Sequence, residues 1–339
     1  MKKEYFIIIL VLGFFSCQKE MPHEVVSSQV DVYVAGVEYN GSIGVGKYWK
    51  NGQAVTLTDG TMNAWVPAIS VVGSDVYVAG SERNSNGSVS VAKYWKNGQA
   101  IALTDGSRIA AANGMAVVGS DVYVAGVELN TFGNSSVAKY WKNGQAVSLT
   151  DATVGAGASS IAVVGNDVYV AGETYNGYHW VAKYWKNGQD IALTNGTNDA
   201  DASSMAVVGS EVYVAGWEFN GSLYVLKYWK NGQAITLKDS AQREWRTSIA
   251  VSGNDVYVAV PDDGKVAKYW KNGQAVSLTD GTKNAFTSSV TVVGSDVYVA
   301  GAEHNGSHWV AKYWKNGQAV SLTDGTKDAE LAKIIVIRR

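Results

Sequence analysis

The chain of 339 residues has one cysteine, three prolines and four histidines, and only 17% of its residues are charged. A single cysteine excludes an internal disulfide, so stability must come from packing alone. With a formal net charge of -2 there is no broad basic field to hold phosphates, which excludes nucleic acid as a partner. Three prolines against 37 glycines exclude Pro-rich linkers and point to many tight turns. No phosphate loop, Cys nucleophile, isolated Ser-His-Asp set or distinct carboxylate pair stands out. The chain is therefore expected not to be an enzyme, and to use no cofactor and no metal. A monomer is expected.

What the sequence has in abundance is aromatic: 12 Trp and 19 Tyr within a 46% hydrophobic composition. Internal repetition accounts for most of them. The string Lys-Tyr-Trp-Lys-Asn-Gly-Gln occurs seven times, with its Trp at 49, 95, 141, 185, 229, 270 and 314, at spacings of 41 to 46 residues. A second string, Val-Tyr-Val-Ala after Asp or Glu, keeps step with it, its Tyr at 33, 77, 123, 169, 213, 257 and 298. One unit reads as four short strands. Ser288 to Val293, Asp296 to Gly301, Val310 to Lys315 and Gln318 to Thr323 are apolar or alternating runs, separated by Gly294-Ser295, a loop around Asn305-Gly306, and Asn316-Gly317. Asn-Gly suits a type I′ hairpin because both turn residues need positive φ.

Four strands in about 44 residues is the size of a β-propeller blade. The second strand is apolar on both faces, as a sheet stacked between two neighbours requires. The outer strand carries more small and polar residues, which protects an exposed edge from stray pairing. The first unit lacks an innermost strand, whereas Ile334 to Ile337 is a surplus strand at the C-terminus. The fold expected is all-β: a seven-bladed propeller of four-stranded antiparallel blades, in which the C-terminal strand completes the first blade. An open solenoid is the alternative, although a solenoid needs no split unit.

At the N-terminus, Met1 to Lys3 supply positive charge, Tyr5 to Phe15 form an apolar run too short to span a bilayer, and Ser16-Cys17 follow. Phe14-Phe15-Ser16-Cys17 resembles the lipobox of bacterial lipoproteins, and Gln18-Lys19-Glu20 resembles the surface-export signal of some Bacteroidota lipoproteins. The whole resembles the highly repetitive propellers found among such lipoproteins. The resemblance implies lipidation at Cys17, with residues 1–17 as signal peptide, 18–30 as tether and 31–339 as one propeller domain. It also implies attachment to a membrane through that lipid, in the bacterial cell envelope and on the outer membrane. The alternative for Cys17 is a free thiol in an ordinary secretory signal.

Function is sought where the copies differ. The Gly-Ser/Asn-Asp and Lys-Asn-Gly-Gln turns are nearly uniform and emerge on one face. The loops between second and third strands and the crossovers between units are long and varied, and emerge on the other, which is the candidate recognition face. Trp65, Ala111, Gly157, Asp201, Trp245, Phe286 and Glu330 enter the innermost strands and are expected to ring the channel mouth. Gly44, Ser90, Ser136, Trp180, Tyr224, Lys265 and Trp309 are expected on a wider circle. Repeated Trp and Tyr are blade core, so the unrepeated aromatics are the candidates for ligand contact: Trp65, Trp180, Trp217, Tyr224, Trp245, Phe286 and Trp309. Flat apolar side chains of this kind suit sugar rings or peptide anchors. The expected activity is glycan binding, with a protein or peptide ligand as the alternative and a glycan-active enzyme, a hydrolase or lyase, as the third. Drift of exposed positions after duplication is the bland explanation.

Overall fold

The computed structural model describes residues 29–130, 133, 135–240, 247–260 and 264–339. Cys17, the signal segment, nearly all of the tether, and Trp245 lie outside the described residues.

Seven four-stranded antiparallel sheets form the blades. Blade 4 shows the pattern: Ala156–Val164 is innermost, then Asp167–Tyr175, Trp180–Lys186 and Gln189–Ala192 at the rim. Each innermost strand packs against the next, and the circle returns from blade 7 to blade 1. Blade 1 is assembled from both ends of the chain. Its innermost strand is Ala329–Arg338, paired antiparallel with Val30–Asn40 in a register running from Val30 opposite Arg338 to Glu38 opposite Ala329. Arg339 then closes the seam, its Nε donating to Asp31 Oδ2 at 2.8 Å and its backbone N–H to the Gln29 carbonyl at 2.8 Å.

The local sequence explains the hairpins. All seven Asn-Gly turns between third and fourth strands place Asn near φ 50° and Gly at φ 82–85°, the left-handed pair a type I′ turn demands. The same Asn acts as a clamp. In blade 2, Asn97 Oδ1 accepts the Val76 N–H at 2.9 Å while its Nδ2 donates to Asp75 Oδ1 at 2.9 Å. Lys96 reaches Asp75 at 3.0 Å and lies 5.2 Å from the Tyr77 ring centroid. Hydrogen bonding from Asn97, then from Lys96, holds the Asp75 carboxyl below its ordinary value. In blade 3 the partner lysine, Lys142, is pushed up to about 12, first by Tyr123 and then by Asp121. The uniform face is thus a repeated structural device.

The core lies between blades. The seven repeated Trp are 1–4% exposed, and each packs on the preceding blade: Trp95 against Val37 and Tyr48, Trp229 against Tyr169 and Ala171. The recurring glutamates mostly pair with repeated lysines, as Lys93 does with Glu82 at 2.6 Å and Lys312 with Glu303 at 2.7 Å.

One irregularity shapes the channel. Among the described residues, six innermost strands shift register near their middle: between Ala158 and Ser160 in blade 4, Ala202 and Ser204 in blade 5, and at equivalent points in blades 1, 2, 3 and 7. A β-bulge leaves one extra residue unpaired and turns it aside. In the facing strand stands a glycine, because a Cβ at Gly80 or Gly172 would collide with the carbonyl of Trp65 or Gly157. Channel residues are placed by these bulges.

Candidate functional site

Recesses open both in the centre of the ring and on its varied face. The first is the central channel, a cavity of about 400 Å³. Bulged residues Pro67, Asn113, Ser159, Ser203 and Ser288 line it, with Trp65, Asp201 and Glu173 among its walls. Below the bulge runs a belt of hydroxyls. Ser160, Ser204, Ser248 and Ser289 each accept, at 3.2 Å, an N–H from the next blade: those of Met205, Ile249, Val290 and Ile334. Each serine therefore ties neighbouring inner strands together.

The second recess is a cleft of about 430 Å³ between blades 3 and 4 on the varied face. Leu129, Ser135, Ser136, Gly155, Tyr175 and Trp180 line it. Trp180 is fixed from several sides. Its N–H donates to Asp199 Oδ1 at 2.9 Å, and its indole lies 5.5 Å from the Tyr175 ring, its direct cross-strand partner. Gly155 makes room for the indole, since a Cβ there would stand 3.1 Å from Trp180 Cη2. Among the described residues, Ser135 Oγ is buried there without a hydrogen-bond partner. Next to the cleft, Tyr178 is 84% exposed at the tip of the blade 4 loop.

The expected site residues fall into separate groups. Trp65 and Asp201 line the channel as anticipated from their strand positions. Phe286 does not join them: its ring turns onto Trp309, centroids 5.0 Å apart, and Trp309 also meets His304 at 5.2 Å. Of the expected mouth residues, Trp65 and Asp201 thus line the channel, together with Glu173. Tyr224 is half-buried between Phe219, its cross-strand partner, and Trp217. Trp217 requires a correction. It is 1% exposed, edge-on to Tyr224 at 5.1 Å, and so belongs to the core. The cause is its place one residue before the repeated Glu218, a position that Val37 and Ala302 also bury in their blades. The aromatics of blades 4, 5 and 7 therefore form three separate cross-strand clusters.

The histidines serve those loops. His179 Nδ1 lies 3.5 Å from Asp199 Oδ1, and His308 Nδ1 lies 3.6 Å from Asp328 Oδ1, in equivalent places of blades 4 and 7. Each faces one carboxylate. Among the described residues no three His, Cys, Asp or Glu side chains gather closely enough to hold a metal ion.

Sequence reading passed over Tyr175, Ser135, Glu173 and Lys333, the last also a channel residue. A signal existed for Glu173. In five other blades the glutamate comes two residues after the second-strand glycine, but Glu173 comes directly after Gly172. The shift turns its side chain to the opposite face of the strand. Its usual lysine, Lys183, pairs instead with Asp190 at 2.9 Å, an aspartate where other blades have alanine.

No protein-family model and no curated protein matches the chain. Solved structures do match. An acylaminoacyl peptidase from Pyrococcus horikoshii is 12% identical over 87% of this chain, with a TM-score of 0.51. The β-propeller domain of the Trilobed protease from Pyrococcus furiosus, described as having an open velcro topology, is 11% identical over 88% of this chain and 93% of its own, with a TM-score of 0.52. A Trypanosoma rangeli sialidase in complex with sialic acid reaches 0.48 at 11% identity, covering 89% of this chain and 56% of its own. The chain spans about half the length of the peptidase. At these identities the likeness is one of fold. It nevertheless corrects the expectation that the chain is not an enzyme, because a solved protein with a matching fold is a peptidase. A sequence without a recognisable catalytic motif does not set this propeller apart from those of enzymes.

Proposed function

We propose that this propeller is a glycan-binding module, displayed on the bacterial cell envelope by a lipid on Cys17, and that the blade 3–4 cleft is its principal contact. The observation carrying this reading is Trp180. Its indole borders an open recess, packs against Tyr175 in the space above Gly155, and has Ser135 and Ser136 beside it, while its backbone N–H is tied to Asp199. A fixed aromatic plane with adjacent hydroxyls is what a pyranose ring needs, an apolar face to stack on and partners for its hydroxyl groups. Trp309 repeats the arrangement in blade 7, resting on Phe286 and His304. Trp65 offers a third aromatic surface at the channel.

A peptide partner is the second reading, and Tyr178 favours it. A tyrosine 84% exposed beside a cleft has the features of an interface anchor. Glycan-array screening of the purified protein separates the two. The glycan reading expects saccharide binding that Trp180→Ala reduces at least tenfold while the melting curve is nearly unchanged. No binding, or binding indifferent to Trp180→Ala and Trp309→Ala, overturns it.

A further inference from the structure

The innermost strands carry one residue that breaks the pattern of the hydroxyl belt. At the belt position the seven blades have Lys333, Ala68, Gly114, Ser160, Ser204, Ser248 and Ser289, in blade order. Lys333 lines the channel, and among the described residues no hydrogen bond or ion pair reaches its ammonium. Protein surrounds it on the wall side, while part of its surface stays open to the lumen. Burial alone pushes its pKa below the ordinary lysine value. A desolvated, unpaired cation is unfavourable, and packing does not demand one, since serine fills the same place in four blades.

The surroundings of Lys333 are unusual too. Each serine of the belt caps an amide of the following blade. Because blades 1, 2 and 3 have Lys, Ala and Gly at that position, no such hydroxyl reaches the amides of Ile69, Met115 and Ile161. All three residues line the cavity. One arc of the channel wall therefore joins a cation to three consecutive inner strands that lack this hydroxyl tie. Glu173 and Asp201 lie nearer the mouth, about three residues along the strand, or roughly 10 Å, from the level of Lys333. Carboxylate oxygens there can accept hydrogen bonds from hydroxyl groups.

We infer that the central channel is a binding site for a small hydroxylated monocarboxylate of the sugar-acid class. Its carboxylate is received by Lys333, and its hydroxyls by Ser159, Ser160 and Ser203, with Glu173 and Asp201. A volume of about 400 Å³ lies within the range of small-molecule sites. The site is separate from the blade 3–4 cleft and does not depend on the glycan reading.

Isothermal titration of the protein with glucuronate tests it, with glucose and inorganic phosphate as comparisons. Saturable binding of glucuronate is expected, at least tenfold tighter than that of glucose or phosphate. Lys333→Ser installs the residue that four other blades already carry, so the ring should fold as before, and it should weaken glucuronate binding at least tenfold. Glu173→Gln should lower affinity by a smaller factor, through the hydroxyl contacts. Trp180→Ala should leave the titration unchanged, and Lys333→Ser should leave any glycan-array signal at the cleft unchanged, so failure of one site is distinguishable from failure of the other. Absence of saturable glucuronate binding, equal affinity for phosphate, or a folded Lys333→Ser protein that binds as well as the parent would overturn the assignment.

Discussion

The two faces of the ring are built from the same repeated unit, yet they obey different rules. On the uniform face every turn performs one task. An Asn in left-handed conformation accepts an N–H from the second strand, and in most blades its amide also donates to the acidic residue that starts that strand, which the preceding Lys pairs with as well. On the varied face the equivalent positions hold glycine, serine, lysine, tyrosine or tryptophan, and their partners change from blade to blade. The difference shows where sequence identity is enforced by folding and where it is released. A side chain that closes a hairpin is needed in every blade, whereas a loop on a rigid scaffold is free to take up a separate contact in each.

The most severe way to erase both faces is to open the ring. Removing residues 331–339 takes away buried Leu331, Ile334 and Val336 and leaves Val30–Asn40 as an open edge. Thermal unfolding should shift down by well over ten degrees or lose its cooperativity, and an unchanged melting curve would contradict closure. Next in size, Trp141→Ala empties the packing between blades 2 and 3 and should cost about 3–5 kcal/mol in urea unfolding. On the uniform face, Asn97→Ala deletes two hydrogen bonds and puts alanine where φ is positive, a loss of roughly 1–2 kcal/mol in the same assay. On the varied face, Trp180→Ala should change stability by about 1 kcal/mol or less, its effect falling on binding.

Acid should separate the faces as well. The carboxyls of Asp75, Asp121, Asp167, Asp255 and Asp296, all in the uniform-face clamp, have pKa values lowered by their hydrogen bonds and lysine partners. Their folded pKa values lie below the unfolded value of about 3.9, so their stabilisation is complete above that pH and is lost as pH falls through the folded values. Unfolding midpoints measured at pH 7 and pH 3 should therefore differ more for the parent than for a variant with several of these aspartates changed to Asn. An equal loss in both would detach the clamp from acid stability.

Much of this architecture was legible in the sequence because a repeated unit states its requirements seven times. The strand pairs, the type I′ turns and the surplus strand Ile334 to Ile337 follow from periodicity and turn chemistry. The channel was harder. A bulge depends on how one strand crosses its neighbour, and nothing in Ser159-Ser160 marks the first as the unpaired residue. Trp217 misled because an unrepeated aromatic looks like an exposed one, while burial depends on a single step of strand parity. Lys333 was visible once Ile334 was aligned with Val290, since the residue before it then falls beside Ser289, but a lone lysine acquires meaning only when the wall around it is known.

The seam at blade 1 also has a consequence in time. Between Asn40 and Ala329 lies almost the whole chain, which a ribosome adding about 5–20 residues per second takes roughly a quarter of a minute to a minute to deliver. Throughout that interval the strand that will receive the last one has a bare edge, while closely similar strands emerge behind it and from neighbouring ribosomes on the same message. Synthesis, more than the finished ring, is where seven near-copies are most exposed to choosing the wrong partner.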